Sequence, residues 1–152
     1  MRKVLNVTLI VFFSFFAVLG QSGGSTKRLR GEVYTPEKGS PERKAILEAL
    51  RLPVEKKLNQ QVIFKIDHFK VQNGWAFLLA TPQKPDGSTP DYRGTVYQDA
   101  VEAGSFDNGV VALLHNVNGK WKVINYVIGA TDVPYVDWDK TYRAPRAIFP
   151  FD

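Results

Sequence analysis

The stretch "SPERKAILEALRLPVEKKL" sets Ala45, Ile46, Ala49 and Leu50 three and four residues apart. That spacing makes one face of a helix apolar, and Arg43, Lys44, Glu48 and Arg51 between them supply a solvated face. Ser40 carries a capping side chain, Pro41 suits the first helical position, and Glu42 places an acid in the first turn. Pro53 has no N–H to donate, so the pattern predicts a break or kink near Leu52. Val54 and Leu58 would carry the same face through one further short turn. Lys44 and Glu48, four apart and opposite in sign, are placed to pair.

The period then falls to two. Val62, Phe64 and Ile66 alternate with polar residues, and Phe69 and Val71 resume the alternation on the opposite parity. A β-bulge near Asp67 and His68 reconciles the two halves. Asn73-Gly74 signals a tight two-residue turn. "WAFLLA" after it is apolar on both parities, which predicts a central strand covered on both faces. A second hairpin follows the same grammar: residues 110–117 and 121–128 flank Asn118-Gly119, and a tryptophan again opens the return strand. Between the hairpins, "QKPDGSTPDYRG" reads as a loop, and "TVYQDAVEAG" suits either a short helix or a short edge strand.

These elements define an α+β domain: an N-terminal helix packed on a curved antiparallel sheet of about four strands in two hairpins. The reason is that an amphipathic helix and an apolar sheet face must be buried against something. Over roughly residues 40–130 this order resembles the cystatin fold and, more loosely, the NTF2-like cone. The chain as a whole resembles small secreted bacterial proteins. The resemblance is one of topology. Cystatin protease inhibitors carry a glutamine-valine-glycine hairpin tip. The tips here are Gln72-Asn73-Gly74-Trp75 and Asn118-Gly119-Lys120-Trp121, so the resemblance implies a fold and no inhibitor residues.

Upstream of the helix the pattern is of another kind. Arg2 and Lys3 precede a largely apolar run over residues 4–19, and Val18 and Gly20 are small enough to flank a cleavage site. Residues 1–20 therefore read as a signal peptide cut after Gly20. Retention as a membrane anchor is the alternative. A spanning helix needs about 20 apolar residues, and this run is shorter and interrupted by Asn6, Thr8 and Ser14. Residues 21–32 are polar and Gly/Ser-rich, a flexible linker carrying Lys27, Arg28 and Arg30. Residues 33–152 form the single domain, and the expected location is secreted or periplasmic.

Charge narrows the partners. The chain holds 20 basic and 15 acidic residues. Setting aside Arg2, Lys3, Lys27, Arg28 and Arg30 leaves 15 of each. The basic excess belongs to leader and linker, so the fold has no charge excess from which to build a nucleic-acid-binding patch. A membrane would be met only through an uncleaved leader. With no cysteine in the chain, disulfides, thiolate metal sites and thiol nucleophiles are excluded.

Candidate chemistry is sparse. His68, beside Asp67 at the expected bulge, is the candidate acid–base group, since bulges re-aim side chains near active sites. His115 shares parity with Val111 and Leu113 and reads as a half-buried, hydrogen-bonded histidine. Two histidines without ligand spacing do not make a zinc site. No metal or cofactor is expected. Ser105, in "AGSFDNG", lacks the nucleophile elbow. The stretch "ATDVPYVDWDKTYRAPRAIFP", within residues 130–152, groups Asp132, Asp137, Trp138, Asp139 and Tyr142 as a candidate ligand-binding set for a carbohydrate or peptide. The structural alternative is an irregular aromatic, proline-stiffened strap that closes one end of the helix–sheet core. In it Asp139 would pair with Arg143, and Asp137 with Arg146.

The functional expectation is a non-enzymatic binding domain outside the cytoplasm, taking a protein, peptide or carbohydrate ligand. One alternative is a small hydrolase or isomerase with a pocket between helix and sheet, using His68 and either Asp132 or Asp137. Another is a structural, envelope-associated domain.

Overall fold

Ser40 Oγ accepts the N–H of Arg43 at 3.2 Å and starts helix α1, Pro41–Leu58, with Pro41 at its head. In this computed structural model, which describes residues 31–151, the helix runs unbroken through Pro53. The expected break near Leu52 is thus corrected. Ile46, Leu50, Val54 and Leu58 fall at every fourth position and are all buried. Packing of Val54 and Leu58 on the sheet holds the final turn although Pro53 contributes no N–H to it. Asn59, at φ 53°, ends the helix. Glu48 pairs with Arg51 and not with Lys44. The proposed signal peptide and residues 21–30 of the linker lie outside the described residues.

Strands β1 (Ile63–Gln72), β2 (Trp75–Gln83), β3 (Val110–Val117) and β4 (Lys120–Ile128) form one antiparallel sheet in the order of the chain. Asn73 and Gly74 sit at φ 49° and 77°, and Asn118 and Gly119 at 53° and 80°. Positive φ at both turn residues is the primed geometry whose twist matches paired strands. The bulge in β1 falls at Asp67, between Ile66 and His68, as the change of parity requires. A second bulge at Ile124 interrupts β4, since Leu113 faces Asn125 and Leu114 faces Val123. The ambiguous "TVYQDAVEAG" contains a short helix, α2 (Gln98–Glu102).

One helix packs one face of the sheet. There Ile46, Leu50, Val54 and Leu58 meet Phe69, Val71, Ala76, Leu78, Ala112 and Leu114. The other face presents Phe77 and Leu113, fully buried, with Trp75, Leu79, Val111 and Val127 beside them. The strap covers these residues with a short helix α3 (Trp138–Tyr142), a 3-10 turn (Arg146–Ile148), and the rings of Tyr135 and Phe149. The strap was expected to close one end of the helix–sheet core; it covers the opposite face of the sheet instead. The reason lies in "WAFLLA". A strand apolar on both parities needs two covers, and a single helix supplies one.

A short N-terminal segment reaches the outer edge of β1. Tyr34 and Val71 exchange both backbone hydrogen bonds, at 3.0 and 2.8 Å. Buried Pro36 then turns the chain away, held where Arg43 Nη1 donates to its carbonyl at 3.1 Å. The same guanidinium stands 4.9 Å from the centre of the Phe69 ring.

Candidate functional site

Alternation of the ladder fixes which backbone groups β1 spends on β2. Val71 is turned outward, because both its bonds go to Tyr34. Two residues back, Phe69 is turned outward as well. Its carbonyl accepts Thr35 Oγ1 at 2.9 Å. The bulge at Asp67 then shifts the phase by one residue, so that Ile66 and Phe64 face outward in their turn. Among the described residues, no hydrogen bond reaches the backbone of Phe64 or Ile66, or the N–H of Phe69, from outside the sheet. A groove of roughly 440 Å³ runs beside this edge, between Thr35–Lys38 on one side and Ile66–Lys70 on the other, with Arg43 at its wall.

The groove and the strand that runs on from it carry charge. Lys38 and Lys65 are exposed and Lys70 is half-buried, and none of the three has an ion pair or a side-chain hydrogen bond among the described residues. Glu37 and Asp67 are the acids nearby. The Asp67 carboxylate leans inward across the sheet, where its Oδ2 accepts the Thr81 hydroxyl at 3.4 Å. These residues were not singled out from sequence. The signal was available in Lys65 and Lys70, two lysines on one strand, a composition that marks sheet edges, and in Pro36, which ends the pairing upstream.

The sequence-derived candidates fall in several places. His68 lies on the strap-covered face. Its Nε2 is 2.8 Å from the Ile148 carbonyl, and its ring meets Phe77 edge-on with centres 5.8 Å apart. A carbonyl only accepts, so Nε2 carries the proton and donates. His68 thereby ties the strap to β1. His115 is half-buried and held by stacking on Trp75, with centres 4.1 Å apart and planes 15° from parallel. Stacking takes the place of the hydrogen bond expected for it.

Trp138 is buried under the strap, and Tyr142 accepts a hydrogen bond from Asn125 Nδ2 at 3.1 Å. Asp139, 8 % exposed, pairs with Arg146 at 3.1 Å, and exposed Asp137 accepts from Thr141 Oγ1 at 3.3 Å. The expected pairs Asp139–Arg143 and Asp137–Arg146 are thus replaced, because Arg143 takes the left-handed conformation at φ 57° that ends α3, and Arg146 opens the next turn. Burial opposes ionisation of Asp139. The hydrogen bond from Arg146, the Lys140 N–H and the nearby positive charges outweigh it and hold the carboxyl below its usual range. Exposed Asp132 stands apart from these, on the rim of a pocket of roughly 280 Å³ that it shares with Asp67 and Asp107 over Leu79, Val111 and Tyr135.

The five candidate ligand residues therefore do not converge. Among the described residues, buried side chains occupy the space between helix and sheet where the enzyme alternative places its pocket. His68 sits on the other side of the sheet, and neither Asp132 nor Asp137 contacts it. Among the described residues no group of three or more His, Asp or Glu is placed to hold a metal ion, and no helix is long and apolar enough to cross a membrane. No family model matches the chain, and no curated protein or solved structure is significantly similar to it.

Proposed function

We propose that this protein is a secreted or periplasmic, non-enzymatic binding domain that docks an extended segment of a partner protein along the outer edge of β1. The observation that carries this reading is the unpaired backbone of Phe64 and Ile66 and the free N–H of Phe69 beside an open groove. A strand edge with free N–H and C=O groups is a template for an added strand, and main-chain hydrogen bonds then supply affinity. The protein's own N-terminal segment already uses this chemistry at Val71 and stops at Pro36. The incoming segment extends the row that Tyr34 begins. Export outside the cytoplasm is supported by the basic-then-apolar start of the chain.

Two measurements test this. In isotope-labelled protein, an added extended peptide shifts the backbone amides from Ile63 to Phe69 and spares those of β4. Shifts confined to β4 or to the strap overturn the assignment of the site. The amino terminus of the protein recovered from its producing cells begins at Gln21; recovery of the protein with Met1 still in place overturns the export reading.

A further inference from the structure

We infer that the segment bound at the β1 edge is an acidic, alternating strand: apolar side chains on its helix-side face and carboxylates on the other. The inference rests on the strand-edge reading above and adds the chemistry of the partner. Along β1, Phe64 and Ile66 point to the helix face and are half-buried, so part of their apolar surface remains uncovered at the edge. A strand laid beside them sets every second side chain against that surface. Lys65 and Lys70 point to the opposite face, on either side of the bulge, and are unpaired. A carboxylate on an alternate position of an added strand would stand across from Lys65. Thr35 already stands across from Lys70, since Tyr34 pairs with Val71, so Lys70 and Lys38 flank the end of that strand.

The same lysines decide against the obvious competitor. A second copy of this protein docking through its own β1 would bring its Lys65 and Lys70 to an edge that already holds this pair, and like charges across a strand pair are destabilising. Basic segments meet the same repulsion. Lysines on an edge are a common guard against self-association; here they act as a filter that leaves the edge open to acidic strands alone. Two carboxylates, Glu37 and Asp67, also line the groove, the second accepting from Thr81, but Lys38, Lys70 and Arg43 on the lining and Lys65 on the strand outnumber them.

The test uses three labelled hexapeptides and fluorescence anisotropy with the full chain. One alternates glutamate and valine, one alternates lysine and valine, and one is the glutamate peptide with its hydrogen-bonding amides N-methylated. The acidic peptide is expected to bind about tenfold more tightly than the basic one at low salt, since the charge facing Lys65, with Lys70 and Lys38 at the strand's end, changes from repulsion to attraction. The preference shrinks as salt is raised. N-methylation abolishes binding. The double variant Lys65→Glu/Lys70→Glu, checked for an unchanged circular dichroism spectrum, reverses the order of the acidic and basic peptides. Equal affinity for both peptides overturns the charge inference and leaves edge docking standing. Undiminished binding of the N-methylated peptide, or binding by none of the three, overturns the strand-edge reading together with it.

Discussion

On one face of the sheet an 18-residue helix lays Ile46, Leu50, Val54 and Leu58 across the strands. On the other, a strap with only short helical turns covers the same strands with rings. The helix satisfies its backbone within itself, so its cover needs only an apolar stripe at the right spacing. The strap has little repeating structure of its own. Its position is set by contacts that converge on Phe77, whose ring centre lies 4.6 Å from Phe149, 4.9 Å from Tyr135 and 6.4 Å from Trp138. His68 adds a bond from β1 to the Ile148 carbonyl, and Asn125 one from β4 to Tyr142. A stripe of aliphatic side chains spreads its stabilisation along the helix, whereas a ring cluster concentrates it in one residue.

That contrast can be broken by mutation. Phe77→Ala empties the centre of the ring cluster and should cost about 3–5 kcal/mol. Urea unfolding measures the loss, and near-ultraviolet circular dichroism should fall with it as Trp138 and Tyr135 lose their partner. Leu50→Ala on the helix face should cost about 2–5 kcal/mol, with neighbouring aliphatic side chains closing part of the gap. Its near-ultraviolet signal should be largely kept. A larger loss of aromatic signal from Leu50→Ala than from Phe77→Ala would invert the comparison.

Gly129 sharpens it at the point where the chain leaves β4 and crosses to the strap. Its φ is 80°, and a Cβ there would fall 2.0 Å from Cε2 of Phe106. The Phe106 ring belongs to the helix-side core, near Tyr92 and Tyr97. Gly129→Ala should therefore cost about 1–3 kcal/mol by displacing that ring and straining the backbone, seen as a lowered urea midpoint.

The smallest effect is a pH dependence confined to the strap. The folded state holds the Asp139 carboxyl below its ordinary 3.8. The sign follows from linkage: the stability it adds is complete above that ordinary value and is lost as pH falls below it, through the lower folded value. Arg146→Ala, which also removes the guanidinium 4.4 Å from the centre of the Phe151 ring, should flatten the fall in urea midpoint below about pH 4. An acid limb as steep as that of the parent protein would show that the Asp139–Arg146 pair contributes nothing there.

Much of this fold was legible in sequence because it is local. The cap at Ser40, the apolar stripe of α1 and the two Asn-Gly turns each need only a few neighbouring residues, and each was found where the pattern put it. The bulge at Asp67 was legible from a change of parity alone. The apolar run "WAFLLA" even announced that two covers were needed. It could not say what the second cover was, because a strap without a period carries no mark of the surface it will meet. Pro53 misled for the opposite reason: the local rule was sound, but packing of Val54 and Leu58 overrode it.

The candidate site divides in the same way. From sequence alone came the residue types: lysines on β1, acids and rings in the strap, two histidines, and a domain of balanced charge. Tertiary structure decided their use. It buried Trp138, paired Asp139 with Arg146, tied His68 to Ile148, and left the edge of β1 open where Pro36 leads the chain away. Hydrogen-bonding capacity is written in every residue, but whether it is spent depends on which segment arrives beside it, and those segments lie far apart in the chain.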